Sequence, residues 1–248
     1  MTFHDHFSAR AADYAQYRPS YPAALFHYLA AVAPATRLAW DAGTGNGQAA
    51  TALADRFAEV VGTDPSAEQL KHATRHPRVR YAVSAGAPEL AERSVDLITV
   101  AQALHWFDLD AFLAEAKRVA APRAVLAVWG YTLCRIEPRV DELLDYFYRV
   151  VTAPYWAPER RIVDEGFRSV ALPIDELAPP QFEMRVEWTL SQLIGYLSTW
   201  SAVRAMERAR GPEPMDAMRV ALAERWGTPG VGKRVFFPLA LRCGELRG

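Results

Sequence analysis

Seven residues, Asp41-Ala42-Gly43-Thr44-Gly45-Asn46-Gly47, place an acid before three glycines at alternate positions. Glycine carries no side chain, so such a turn lets the backbone approach a ligand closely. A second acid, Asp64, follows about 20 residues on, where a carboxylate can accept both ribose hydroxyls of a nucleoside-type ligand. The spacing is not that of a dinucleotide site. G-x-G-x-x-G would put its third glycine at position 48, which is Gln48, and here the third glycine is Gly47. Asp41 would also repel a pyrophosphate, whereas it favours a ligand carrying positive charge. S-adenosylmethionine (SAM) has a sulfonium, an ammonium and no phosphate, and it is the ligand these residues suit.

The surrounding stretches supply the elements that must hold this turn. Leu38-Ala39-Trp40 reads as the end of a buried strand, and Gln48 to Phe57 as a helix burying Ala49, Leu53 and Phe57. Val60 to Asp64 is a second strand. Ser66 is a good N-cap for the helix Ala67 to Thr74, which leaves Asp64 spare for a ligand. Val79 to Val83 is a third strand, and the turn Ser84-Ala85-Gly86-Ala87-Pro88 offers backbone amides to an adenine ring. Val95 to Ala101 is a fourth strand, Asp110 to Ala120 a helix and Ala124 to Trp129 a fifth strand. In an open α/β sheet, ligands bind outside the carboxyl ends of the strands. The loop Gln102-Ala103-Leu104-His105-Trp106-Phe107 therefore holds site candidates.

The N-terminal segment and an insert after the fifth strand read as a cover. Tyr14, Tyr17 and Tyr21 recur at three- and four-residue steps around Arg18, and Pro19 and Pro22 interrupt any helix there. They either pack on the sheet or form a lid whose polar tips face a ligand. Asp141 to Val151 is an amphipathic helix. The proline-rich stretch Ala153 to Pro180 is too long for a plain connector and reads as a lid or binding loop. Phe182 to Leu190 alternates as a half-buried strand does, helices follow from Ser191 to Arg208 and Pro214 to Trp226, and Arg234 to Arg242 is a last strand.

Composition limits the partners. A chain of 248 residues with 51% hydrophobic and 23% charged residues can bury a large core. The net charge of −1 argues against a nucleic-acid binder, and Arg160-Arg161 and Lys233-Arg234 read as solvated faces. Cys134 and Cys243, without CxxC spacing, read as reduced thiols of a cytoplasmic protein. Apolar stretches are too short to span a bilayer, and the start is too polar for a signal peptide. There is no metal-ligand cluster and no activated nucleophile pair.

Asp41-x-Gly43-x-Gly45-x-Gly47, then Val61-Gly62-Thr63-Asp64-Pro65-Ser66, then Ala101-Gln102-Ala103-Leu104-His105-Trp106-Phe107 resemble the class I SAM-dependent methyltransferases. The nearest branch is type 11, similar to trans-aconitate-type methyltransferases; Tyr14-x-x-Tyr17-Arg18-Pro19-x-Tyr21-Pro22 and Thr199-Trp200-Ser201-Ala202 resemble it too. The resemblance implies one domain on a Rossmann-like seven-stranded mixed sheet. Its order is 3-2-1-4-5-7-6, with only the last strand antiparallel, helices on both faces and a partly helical cap. Residues 1–35 would form the lid, 36–131 the SAM-binding core, 132–181 the insert and 182–248 the part completing the sheet, with Phe182–Leu190 and Arg234–Arg242 as the last two strands.

It implies SAM on Asp41, Gly43, Thr44, Gly45, Gly47, Asp64, Pro65, Ala85 and Gln102. A small-molecule acceptor, a carboxylate among the candidates, would lie against Tyr14, Tyr17, Arg18, Tyr21, His105 and Trp106, with His105 a base or a pocket wall. Neither nucleic acid nor membrane is a partner, and the chain is a monomer or homodimer. Two departures stand out: Ala121-Pro122-Arg123-Ala124 replaces a glycine-rich turn, and Gly86 or Pro88 stands where relatives carry an acid. The alternatives are a non-catalytic SAM-binding regulator and a nicotinamide-dependent oxidoreductase.

Overall fold

The computed structural model describes residues 19–87 and 90–247. Its strands in chain order are β1 (Leu38–Ala42), β2 (Glu59–Asp64), β3 (Val79–Val83), β4 (Val95–Ala101), β5 (Ala120–Gly130), β6 (Ile174–Glu176), β7 (Glu183–Trp188), β8 (Lys233–Pro238) and β9 (Ala240–Leu246). Seven of them form one sheet in the order β3-β2-β1-β4-β5-β9-β6. The first five pair in parallel, and β9 runs antiparallel to both β5 and β6. Counted along the sheet, this is the expected order 3-2-1-4-5-7-6 with one reversed strand.

The residues filling the last two places differ from the expectation. The stretches Phe182–Leu190 and Arg234–Arg242 mostly pair with each other, as the separate ribbon β7–β8. The sixth sheet strand is instead the three-residue β6, and the seventh is β9, which begins where β8 ends at Pro238. Alternating burial shows that a strand has one wet face; it does not say which strand is its partner. The Ala121–Ala124 stretch is taken into β5 as a bulge, because the pairing with β4 jumps between Val95↔Ala120 and Leu97↔Val125. Arg123 sits there at φ +64°, a conformation that favours glycine.

Apolar residues cover both sheet faces. On one, Trp40, Ile98 and Val128 pack with Phe112, Ala116 and Val119 of the helix Leu109–Val119. On the other, Leu97 and Trp129 meet Leu25 and Leu29 of the helix Ala23–Val32 and Ala49 and Leu53 of the helix Gln48–Ala54. A third core contains no buried residue of the seven-stranded sheet. It joins Met184, Trp188, Val235 and Phe237 of the ribbon to Tyr196, Trp200, Met206, Leu222 and Trp226 of the C-terminal helices.

Asp96, fully buried at the start of β4, fixes the entry of β1 by accepting from the Arg37 and Leu38 amides and the Arg37 guanidinium. Burial works to raise its pKa, but these bonds outweigh that and hold it below the ordinary carboxylate range. Both cysteines are buried free thiols. No helix among the described residues is long and apolar enough to cross a membrane.

Candidate active site

The turn leaving β1 holds Gly43, Gly45 and Gly47 at φ +68°, +55° and +80°. A side chain in this left-handed region costs roughly 1–2 kcal/mol. The three glycines serve different ends. A Cβ on Gly43 would lie 2.7 Å from Ala103 Cβ, and one on Gly47 2.8 Å from Tyr81 Cζ, so these two permit packing. At Gly45 nothing lies nearer than Gln69 Oε1 at 4.0 Å, so its missing side chain leaves open space for a ligand.

Asp41 is 1% exposed. Its Oδ2 accepts from Thr44 Oγ1 at 2.6 Å and its Oδ1 from Thr99 Oγ1 at 2.7 Å. Burial pushes its pKa up to about 6, against the pull of those two hydroxyls. These bonds serve to hold the turn, whereas the sequence suggested Asp41 as a partner for positive charge on the ligand. Thr44 is buried and its amide donates to the Thr63 carbonyl, tying the turn to β2.

Ser66 caps its helix, as its position suggested, by accepting from the Gln69 amide at 3.2 Å. Asp64 is nevertheless not spare. Its Oδ1 accepts from the Ser66 amide at 2.8 Å and its Oδ2 from the Gly45 amide at 2.9 Å. A carboxylate has about four lone-pair sites, so acceptor capacity remains for a diol. Pro65 is half-buried and Ala85 exposed at the same carboxyl edge of the sheet. The open face at Gly45, an acid beneath the turn and a carboxylate at its lip fit a cationic nucleoside sulfonium.

At the end of β4, Gln102 takes a left-handed φ of +56°. Its side chain donates to the Tyr131 carbonyl at 2.9 Å and accepts from the Tyr131 amide at 2.8 Å, clasping the ends of β4 and β5. A Cβ on Gly130 would collide with this Gln102 amide, so the glycine admits the clasp. The following single turn, Leu104–Trp106, buries His105 to 8% exposure with its ring 4.6 Å from that of Trp106. Burial first, and the nearby Arg160 charge second, lower the His105 pKa to about 3. Its Nδ1 has no hydrogen-bond partner among the described residues.

Gln102, His105 and Trp106 line one side of a pocket enclosing about 670 Å³ including its mouth. The far side is Tyr148, Trp156, Arg160, Tyr196, Trp200 and Arg204. Tyr148 lies on Phe147–Val151, a wider turn extending the helix Pro138–Tyr146, a distortion often found at functional sites. Tyr148 donates to Asp164 Oδ1 at 2.6 Å. Arg160 Nε donates to the Tyr148 hydroxyl at 3.0 Å, and its guanidinium lies 5.2 Å from the Trp156 ring centroid. Its Nη2 donates to the Tyr131 carbonyl at 3.3 Å.

The structure thus brings Gln102, His105 and Trp106 together at one pocket, at the same sheet edge as the glycine turn. Tyr21 is elsewhere, edge-on to Trp129 at 5.6 Å and to Phe26 at 6.4 Å, and does not line the pocket. Tyr14, Tyr17 and Arg18 lie outside the described residues. Sequence reasoning named the insert as a cover but read Arg160 as a solvated face, whereas its side chain is 17% exposed and lines the pocket with Trp156. It missed Tyr148, Tyr196 and Arg204, and took Trp200 only as part of a family signature.

A methyltransferase-domain family model matches residues 40–128, from β1 to β5. A Dictyostelium discoideum protein named as a methyltransferase is 32% identical over 231 residues, spanning 91% of this chain and 88% of that one. The chain belongs to this methyltransferase family. A solved structure from Anaeromyxobacter dehalogenans, assigned as a type II methyltransferase, superposes with a TM-score of 0.88 at 45% identity over 93% of this chain and 99% of its own. A trans-aconitate 2-methyltransferase of Methylobacterium radiotolerans is a more distant relative, 40% identical over 98 residues and 38% of each chain. The enzyme is SAM-dependent, as the cradle's fit to SAM requires, and the nicotinamide and non-catalytic alternatives fall away.

Proposed function

We propose that this methyltransferase transfers its methyl group to a small acceptor bearing a carboxylate, held in the aromatic pocket against Arg160. The observation carrying this reading is the lining. It presents arginine and aromatic rings, and no Asp or Glu among the described residues that form it. Arg160 Nη1 makes no hydrogen bond to any described residue, so it can donate to one carboxylate oxygen. The other oxygen keeps its lone pairs for the methyl carbon. A concave pocket walled by aromatic rings suits a metabolite rather than a macromolecule.

The bound cofactor supplies a methyl group on a sulfonium, already activated for in-line displacement. What remains for the chain is orientation and exclusion of water. His105, neutral at pH 7 and a weak proton acceptor, serves as a pocket wall in this reading. A carboxylate, ionised well below pH 7, needs no base; a phenol or an amine would. The enzyme acts in the cytoplasm, where Cys134 and Cys243 stay reduced, as a monomer or homodimer without nucleic acid or membrane.

The test is release of S-adenosylhomocysteine (SAH) with a panel of aliphatic and aromatic carboxylic acids beside phenols and amines. Turnover confined to acids is expected, with Arg160→Met raising the acceptor KM at least tenfold. One lost charge-assisted bond of about 1.5–3 kcal/mol gives that factor. Turnover of phenols or amines with none of the acids would overturn the proposal.

A further inference from the structure

The loop after β3 lies beside the cofactor cradle, because the Ser84 amide donates to the Asp64 carbonyl at 3.0 Å. Ala85, Gly86 and Ala87 carry no polar side chain and the Ser84 hydroxyl accepts from the Gly86 amide at 3.0 Å, so recognition there falls mainly to their backbone. A backbone reads a ligand well only if it is held still. Two residues of the helix Leu109–Val119 do this.

Arg118 donates from Nη2 to the Ala87 carbonyl and from Nη1 to the Leu90 carbonyl, each at 2.9 Å. Glu115 accepts from the Ala87 amide at 3.2 Å and holds Arg118 by bonds of 2.9 and 2.7 Å. The two side chains are 24% and 32% exposed, and helical spacing presents them together. Gly86 fits over the pair, since a Cβ there would lie 3.7 Å from Glu115 Cγ.

We propose that Glu115 and Arg118 are positioning residues for the cofactor, clamping the chain at Ala87 and Leu90 so that the backbone of Ser84 to Ala87 presents fixed groups to the adenine. The proposal rests on the SAM assignment and concerns the chain's own side chains. Arg118 alone satisfies two carbonyls and a carboxylate at once. A lysine has the charge but not the fork.

Three variants test it: Arg118→Met, Arg118→Lys and Glu115→Gln. Hydrogen exchange on the ligand-free protein should quicken at least tenfold at the Ala87 and Leu90 amides in Arg118→Met, while the amides of β1 and β5 stay protected. By calorimetry, the Kd for SAH should rise at least tenfold in Arg118→Met, with a smaller rise in Arg118→Lys and Glu115→Gln. The preference for SAH over its 6-oxo analogue, S-inosylhomocysteine, should shrink in step. At saturating SAM, kcat and the acceptor KM should stay within about twofold of wild type. Unchanged exchange, or SAH affinity and base preference kept in all variants, would overturn the clamp. Equal losses in the acceptor KM and the SAH Kd would also overturn it, since a general loss of structure predicts that. Should Arg118→Met fail to fold, the two conservative variants decide. If SAH fails to bind the wild type, the SAM assignment falls and the exchange result alone judges the clamp.

Discussion

Replacing Asp64 separates two roles that one carboxylate fills. In the ligand-free protein its oxygens hold the amides of Gly45 and Ser66 at 2.9 and 2.8 Å. Bonds of a backbone amide to a charged acceptor contribute about 1.5–3 kcal/mol each, so Asp64→Ala should cost roughly 3 kcal/mol of stability or more. The ribose diol of the cofactor would lose two further bonds of the same kind, and about 3 kcal/mol corresponds to roughly a hundredfold in affinity. Asp64→Asn is the finer probe. Its oxygen can keep one of the two amides, but its own NH2 then faces the other, donor against donor.

The expected order of stability, by thermal melting without ligand, is wild type, then Asp64→Asn, then Asp64→Ala. The SAH Kd from calorimetry should follow the same order, at a temperature where each variant is folded. A folded Asp64→Ala with a Kd within threefold of wild type would refute the ribose assignment. Melting unchanged in Asp64→Ala would refute the account of the turn instead.

Two more predictions concern the cradle and the pocket. Gly47→Ala should destabilise by about 2–4 kcal/mol in urea unfolding, from left-handed strain and collision with Tyr81, which must release the Thr74 carbonyl it holds at 2.9 Å. Adding Tyr81→Ala should return part of what Gly47→Ala takes away, and strict additivity of the two changes would count against the collision. His105, lowered to about 3 in the fold, takes up its proton mainly on unfolding. Between its unfolded pKa near 6.5 and pH 3 the unfolded state binds more protons, so His105's share of stability is complete above that window and shrinks as pH falls. Asp41, raised to about 6, works the opposite way between about pH 4 and 6. Urea unfolding from pH 4.5 to 7.5 should therefore show a weaker acid loss in His105→Gln than in wild type, by up to about 1.4 kcal/mol per pH unit; equal slopes would refute the neutral, buried state of His105.

The first half of the fold was legible because its signals are local. Strand, glycine turn, helix and the acid at the end of β2 all lie within Leu38–Asp64, and each is set by the residues beside it. The end of the sheet was not. The β6 strand has three residues, too few to show a period, while the well-marked alternation of Phe182–Leu190 belongs to a ribbon whose partner, Lys233–Pro238, lies far along the chain. The donor side of the site shared the first advantage and the acceptor side the second difficulty. His105 and Trp106 follow a strand and could be placed by rule. Tyr148 and Trp200 meet because the third core folds their distant segments together, and Arg160 joins them from a helix whose Val163 packs in a sheet core.

That third core has a consequence for how such an enzyme can change. The groups proposed to hold the cofactor are carried by the sheet, whose registry leaves little room for alteration. Most of the far wall of the pocket is carried by a packed body with its own ribbon and helices, which shares no buried residue with that sheet. Substitutions at Trp156, Tyr196 or Trp200 repack this body and leave the glycine turn untouched. If the pocket holds the acceptor as proposed, acceptor choice can drift through that body while methyl donation is conserved, so a library aimed at new acceptors belongs in the third core and not at the strand ends.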